Sequence, residues 1–219
     1  MKDNLFLPAT IQVDTHALLD EVLHPPIYNF AKELVEYLLI VSPPDCIKND
    51  VENYKNLLAS GYGSYIARYS IAHLTLASFL LHPKREKALI RSLQNAAAEE
   101  SEKTFTTDGF AIFDSSSTLY LKIKEMSSFS QLSKNINEKT LGIYLPSCHK
   151  YLTYNPHLTI GKLLNNLEAA MSLFFHQEYV RHFKASGLLL LKRNSDGRYE
   201  PVQEFPFLSR APAQLSINF

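Results

Sequence analysis

Two strings in this sequence match each other: His73-Leu74-Thr75-Leu76 and His157-Leu158-Thr159-Ile160. Each lies in an apolar, β-prone stretch, over Ser70–Phe79 and His157–Lys162, so each is expected to form a strand. On a strand residues i and i+2 share a face. Each string therefore offers an imidazole and a hydroxyl side by side, with its Leu or Ile residues turned to a core. With eight His in the chain, roughly 0.2 matches to His-x-Thr-apolar arise by chance, which makes a pair an event on the order of 1%. The bland alternative, two core histidines with accidental Thr neighbours, does not account for two matching strings.

Around these strings the chain reads as strand, helix, strand, helix, hairpin, helix, strand, helix, hairpin. Tyr37–Val41 is a buried strand stopped by Pro43-Pro44. Ile47, Val51, Tyr54 and Leu58 fall at helical spacing, with Gly61 and Gly63 as the stop. Pro83 opens a helix with Leu89, Leu93, Ala96 and Ala97 inward. Phe110–Phe113 and Thr118–Ile123 form a hairpin, followed by a helix on Phe129, Leu132 and Ile136. Leu163, Leu167, Ala170, Met171 and Phe174 suggest a helix after the second string. Leu188–Lys192 and Tyr199–Phe205 close the chain as a hairpin turned at Asp196-Gly197. The pattern helix, strand opening with His, helix occurs twice, which gives an α+β class with an internal two-fold organisation.

The 219 residues carry 22 Lys and Arg against 22 Asp and Glu. Zero net charge argues against holding long stretches of nucleic acid, and leaves a small or terminal phosphate ligand open. No window reaches the 18 apolar residues of a membrane span, and no secretory signal is expected at the start. Cys46 and Cys148 are isolated and fit a reducing cytoplasm. Residues 1–35, with a short helix capped by Asp14 or Thr15, form an N-terminal extension, and 36–219 a single bilobal domain.

Paired imidazoles suit phosphodiester cleavage without metal. A neutral one takes a proton from water and a protonated one gives a proton to the leaving sugar oxygen, while the Thr hydroxyls hold the phosphoryl oxygens. No cofactor is implied, since neither a phosphate-cradling glycine loop nor a metal-ligand spacing occurs. His176, Glu178 and His182 are expected on a solvated helix, where His176 and His182 point to different sides. His82 and His149 belong to surface loops. Tyr120, Lys122 and Lys124 lie on the polar face of the hairpin, where Tyr120 and Lys122 either face solvent or line the site, Tyr stacking a base and Lys meeting phosphate. Lys162 is off-parity from His157 and reaches the phosphate only if Gly161 bends the strand. Arg68 and Lys162 are the cations nearest the strings.

Paired His-x-Thr-apolar strings in an α+β chain of this size resemble the 2H phosphoesterase superfamily. Pro156-His157-Leu158-Thr159-Ile160-Gly161-Lys162 is similar to the second motif of its bacterial 2′-5′ RNA ligase, or RNA 2′,3′-cyclic phosphodiesterase, group. The resemblance runs from Tyr37 to Phe205. It implies two antiparallel sheets, flanked by helices, that face each other across a groove. It also implies hydrolysis of 2′,3′-cyclic phosphates on RNA ends or nucleotides to 2′-phosphates, with reversible 2′-5′ ligation. Carried over, His73 and His157 are catalytic, and Thr75 and Thr159 bind phosphate. Two other functions stay open: opening small cyclic nucleotides or cyclic ADP-ribose phosphates, and nonhydrolytic binding of an RNA end or nucleotide.

Overall fold

A computed structural model describes residues 34–174, 176–194 and 197–211. Residues 1–33 of the proposed extension, with its Asp14 or Thr15 cap, and Asp196 of the last turn lie outside these residues, and Val35, placed at the end of that extension, opens the first strand. Strand β1 (Val35–Val41) leads through helix α1 (Asp45–Tyr62) to β2 (Leu74–Leu81), and helix α2 (Glu86–Glu99) then leads to β3 (Lys103–Phe113). A tight turn joins β3 to β4 (Thr118–Ile123), which is followed by α3 (Met126–Ile136), β5 (Lys150–Leu152) and β6 (His157–Gly161). Helix α4 (Leu167–Ser172), β7 (His182–Ala185), β8 (Gly187–Arg193) and β9 (Tyr199–Pro206) complete the order.

The strands make two antiparallel sheets, β5-β2-β1-β8-β9 and β6-β4-β3-β7. The sheets are related in connection as well as in composition. In each, two antiparallel neighbours are joined through a helix, β1–α1–β2 in the first and β4–α3–β6 in the second, and each pair ends in a His-x-Thr string. The next strand out differs between the sheets, since β3 precedes β4 across a tight turn whereas β8 reaches β1 only after the strands of the second sheet. This is the two-fold organisation expected from the sequence.

Helix α1 forms because Ile47, Val51 and Leu58 recur on one buried stripe. It stops where Gly63, at φ 96, turns its N–H back to the Ala59 carbonyl at 3.0 Å. It packs against β6 of the other sheet. The Cβ that Gly161 lacks would stand 2.8 Å from Leu58 Cδ2, so any larger residue here must displace the Leu58 side chain. No helix of the described residues is long and apolar enough to cross a membrane.

Four expectations need correction. The first string's strand starts at Leu74 rather than Ser70, because the carbonyls of Ala67 and Ser70 are taken by the Lys55 ammonium instead of a neighbouring strand. The helix after β6 is only α4, capped by the Asn166 side chain on the Ala169 N–H at 3.0 Å, while Leu163 is exposed with φ 54. His182 opens β7, so His176 and His182 do not share a helix. Strand β3 starts at Lys103, and its first half pairs with β7 while its second half pairs with β4.

Candidate active site

The site is built where β2 and β6 adjoin. Leu74, Leu76, Leu158 and Ile160 are fully buried. Their neighbours Thr75, Thr159 and His157 are half-buried on the opposite face, as is His73, which immediately precedes β2. Both strands then carry the same irregularity. In β2, Leu39 pairs with Ala77 and Ile40 with Thr75, so Leu76 is an extra residue. In β6, Leu119 pairs with Gly161 and Tyr120 with Thr159, so Ile160 is extra. Each is a β-bulge placed just after the Thr, and two consecutive buried residues follow from it. The bulge resets the alternation and returns Ser78 and Lys162 to the face of the motif. The off-parity of Lys162 is removed in this way: the Lys162 ammonium is close enough for its charge to act on His157.

The two imidazoles are tethered alike. His73 Nδ1 lies 2.8 Å from the carbonyl oxygen of Ile71, and His157 Nδ1 lies 2.9 Å from that of Asn155. A carbonyl oxygen only accepts, so both Nδ1 atoms carry the proton. Each Nε2 is left with a lone pair when the ring is neutral and a proton to give when it is charged. Burial pushes both rings below the usual imidazole range, against the opposing pull of the carbonyl bond. The charges of Lys55 and His157 lower His73 further, and that of Lys162 lowers His157. The rings are thus near enough that a proton on one disfavours a proton on the other.

Tyr120 lies against His157 and not in open solvent. It is 8% exposed, stacks on Phe113 at 3.9 Å, and meets the edge of His157 at 5.3 Å. Lys122 stands opposite His157 in register. Arg68 is turned along α1, where it donates to Asn56 and lies over the Tyr69 ring at 5.2 Å.

The cation acting on His73 is Lys55, which sequence reasoning missed. It is 2% exposed. Its ammonium donates to the Ala67 carbonyl at 2.9 Å, the Ser70 carbonyl at 2.5 Å and the Ser70 hydroxyl at 2.7 Å. Burial first, and then the Arg68 charge, pull it down to about 8. The signal was available, because Lys55 falls four residues after Val51 and three before Leu58, on the apolar stripe of α1. Among the described residues no three His, Cys, Asp or Glu side chains gather where they could hold a metal ion.

The sequence model of the 2′-5′ RNA ligase superfamily matches residues 43–197. Among solved structures, Escherichia coli LigT complexed with phosphate superposes with a TM-score of 0.58 at 17% identity, over 80% of this chain and 98% of that one. Escherichia coli LigT complexed with 3′-AMP gives 0.59 at 16% identity, over 80% and 99%. Thermus thermophilus TT0787 gives 0.59 at 13%, over 80% and 100%. At these identities the likeness concerns the fold, two antiparallel sheets facing a groove with helices outside. No curated protein matches the chain in sequence.

Proposed function

We propose that this chain, which belongs to the 2′-5′ RNA ligase superfamily, is a phosphodiesterase that opens 2′,3′-cyclic phosphates to 2′-phosphates without a metal ion. The observation that carries the reading is the matched pair of rings, each held by Nδ1 so that Nε2 is free for the proton transfer. Superfamily membership supports a phosphoesterase, and the geometry supports the finer assignment.

The cyclic diester sits between His73 and His157, with Thr75 and Thr159 donating hydroxyl hydrogens to its nonbridging oxygens. The Nε2 of the neutral ring takes a proton from water as the water oxygen bonds to phosphorus. The bond from phosphorus to the 3′-oxygen breaks, and the Nε2–H of the charged ring protonates that oxygen. The hydroxyls fix the phosphorus in line between base and acid and stabilise the charge on its oxygens. With a 5′-hydroxyl in place of water the same forward step breaks the bond to the 3′-oxygen and forms a 2′-5′ diester, and its reverse, attack by the 3′-hydroxyl with loss of the 5′-hydroxyl, cleaves that diester. Tyr120 and Lys122 on β4 and Lys162 just past β6 border the substrate beside the second string, and Arg68 lies beyond Lys55 in the segment before β2. Escherichia coli LigT has been crystallised with phosphate and 3′-AMP, ligands of the class expected here. Cys46 and Cys148 are exposed and free, in keeping with a cytoplasmic setting.

A nonhydrolytic nucleotide-binding module would need neither a free imidazole lone pair nor a second ring on the same phosphate. The test is a panel of 2′,3′-cyclic mononucleotides and an RNA oligomer ending in a cyclic phosphate, each with and without excess EDTA. A 2′-phosphate product and an unchanged rate in EDTA are expected. Binding without turnover would establish the module instead. Activity lost in EDTA and restored by a divalent ion would make the histidines metal ligands.

A further inference from the structure

Past His157, the groove continues along β4 into a cleft of about 530 Å³ walled by Tyr120, Lys122, Lys124, Met126 and Asn155. Its volume falls within the range of small-ligand sites, about 300–1,000 Å³. Met126 offers an exposed apolar surface there. The charges of the cleft do not balance. The Lys122 and Lys124 ammoniums share one carboxylate, that of Asp108, at 3.3 and 3.5 Å. The neighbouring Glu125 is engaged elsewhere, accepting 2.7 Å hydrogen bonds from both the N–H and the hydroxyl of Thr106.

Asp108 reaches this face through a built irregularity. Thr107 pairs with Ile123 and Phe110 with Leu121, so Asp108 and Gly109 together oppose Lys122. Gly109 sits at φ 70, a conformation that side chains strain. The bulge delivers one carboxylate to two ammoniums and leaves one positive charge over, a single strand step from His157. All three groups are about half exposed, so a ligand can reach them.

We propose that this cleft is a subsite for a second phosphate, one nucleoside away from the cyclic phosphate, with that nucleoside lying between the two. The proposal rests on the phosphodiesterase reading of His73 and His157. The substrate class it names is a nucleoside 2′,3′-cyclic phosphate that also carries a phosphate at its 5′-oxygen. That phosphate is either a terminal monoester or the internucleotide diester of an RNA end. Lys122 at the end of β4 and Lys124 just past it both bring their ammoniums within 3.5 Å of the Asp108 carboxylate, so one anion beside them completes the pairing that Asp108 half satisfies. Asp108 is then an internal competitor that keeps both ammoniums extended on the groove side and tempers their grip.

The experiment compares kcat/KM for uridine 2′,3′-cyclic phosphate, its 5′-phosphorylated form and the dinucleotide UpU 2′,3′-cyclic phosphate, in the wild type, Lys124→Ala and Asp108→Asn. Both phosphate-bearing substrates are expected to be better by about tenfold, the size of one charge-assisted hydrogen bond. Lys124→Ala should lower kcat/KM for these two about tenfold more than for the cyclic nucleoside. Asp108→Asn should lower their KM, a change of opposite sign that a misfolded variant cannot mimic. Equal values for all three substrates overturn the subsite and leave the phosphodiesterase standing. So does a gain for the dinucleotide alone, which would mean that a nucleoside is read and not a phosphate. If none of the three is hydrolysed, the phosphodiesterase reading fails. Calorimetric binding of uridine 2′,5′-bisphosphate against uridine 2′-phosphate then decides the subsite by itself: tighter binding of the bisphosphate, lost in Lys124→Ala, supports it, and equal binding overturns it.

Discussion

The ammonium of Lys55 and the carbonyl oxygen of Ser70 stand 2.5 Å apart, and this contact anchors the segment that tethers the His73 ring. Ser70 is one residue before Ile71, whose carbonyl accepts from His73 Nδ1. Farther back in the same segment, the Ile66 carbonyl accepts from the Lys162 N–H at 3.3 Å, at the end of the second motif strand. Lys55 therefore holds a segment that touches both motifs. Lys55→Met should raise the His73 titration measured by NMR toward the ordinary imidazole value of about 6.5, because a positive charge beside the ring is gone. It should also cost roughly 1–3 kcal/mol of stability, since two carbonyls lose their donor. A His73 titration that stays put in the folded variant would show that Lys55 acts on the chain alone.

Removing either ring should stop the reaction without unfolding the protein. His73→Ala and His157→Ala are each expected to lower kcat by at least about a hundredfold, since both side chains are half-buried at the groove and not packed in the core. Thr75→Val and Thr159→Val keep the side-chain shape and lose one hydroxyl, with an expected cost on the order of tenfold. Near-wild-type turnover in either histidine variant would refute the paired mechanism.

The dependence on pH follows from the direction of the imidazole shifts. Turnover needs one ring neutral and the other charged. Both rings lie below the usual range in the free protein, so the charged ring is the scarce species at neutral pH. The value of kcat/KM should fall as pH rises through the depressed titration of the acid. A bound phosphate anion favours the charged ring and moves that limb to higher pH in kcat. Rate profiles of the two constants on one cyclic nucleotide check this. Coincident alkaline limbs would mean that the anion does not sit between the rings.

Gly161 is the point where α1 presses on the second motif. Gly161→Ala places a methyl group 2.8 Å from Leu58 and 3.1 Å from Leu164. Overpacking of this kind costs typically 1–3 kcal/mol. Thermal denaturation should report that loss. The relief available, an outward shift of β6, should also lower kcat by displacing His157. An unaltered melting temperature would mean that the contact is easily relaxed.

Most of the site could be read in the sequence because it rests on period-two alternation, which Leu74, Leu76, Leu158 and Ile160 obey. The two bulges could not, because an extra residue is defined only against the partner strand, Leu39-Ile40 or Leu119-Tyr120. The fate of Lys162 depended on one of them. Asp108 was hidden for the same reason, since its direction is set by a bulge opposite Lys122. Strand β5 has three residues and β7 four, too few for any period to show. Lys55 shows a different limit: helical spacing picks out Ile47, Val51, Tyr54 and Leu58 by their apolarity, and a charged residue on the same stripe carries no weight in such a pattern, although it is where a buried function is to be sought.

Strand β1 is flanked by β2 and β8, and Tyr37 pairs both with Phe79 and with Lys192. The first partner is about one helix away in the chain, and the second is almost at the far end of the described residues. Long-range pairings of this kind pay loop-closure entropy before they gain contacts, and they form late. A ribosome-bound chain holding both His-x-Thr strings but not yet β8 and β9 has β1 as an open edge, with unpaired N–H and C=O groups. Until β8 closes that edge, both strings are present without the full sheet that aligns them, and the frame around the two rings is completed only when the β8–β9 hairpin pairs.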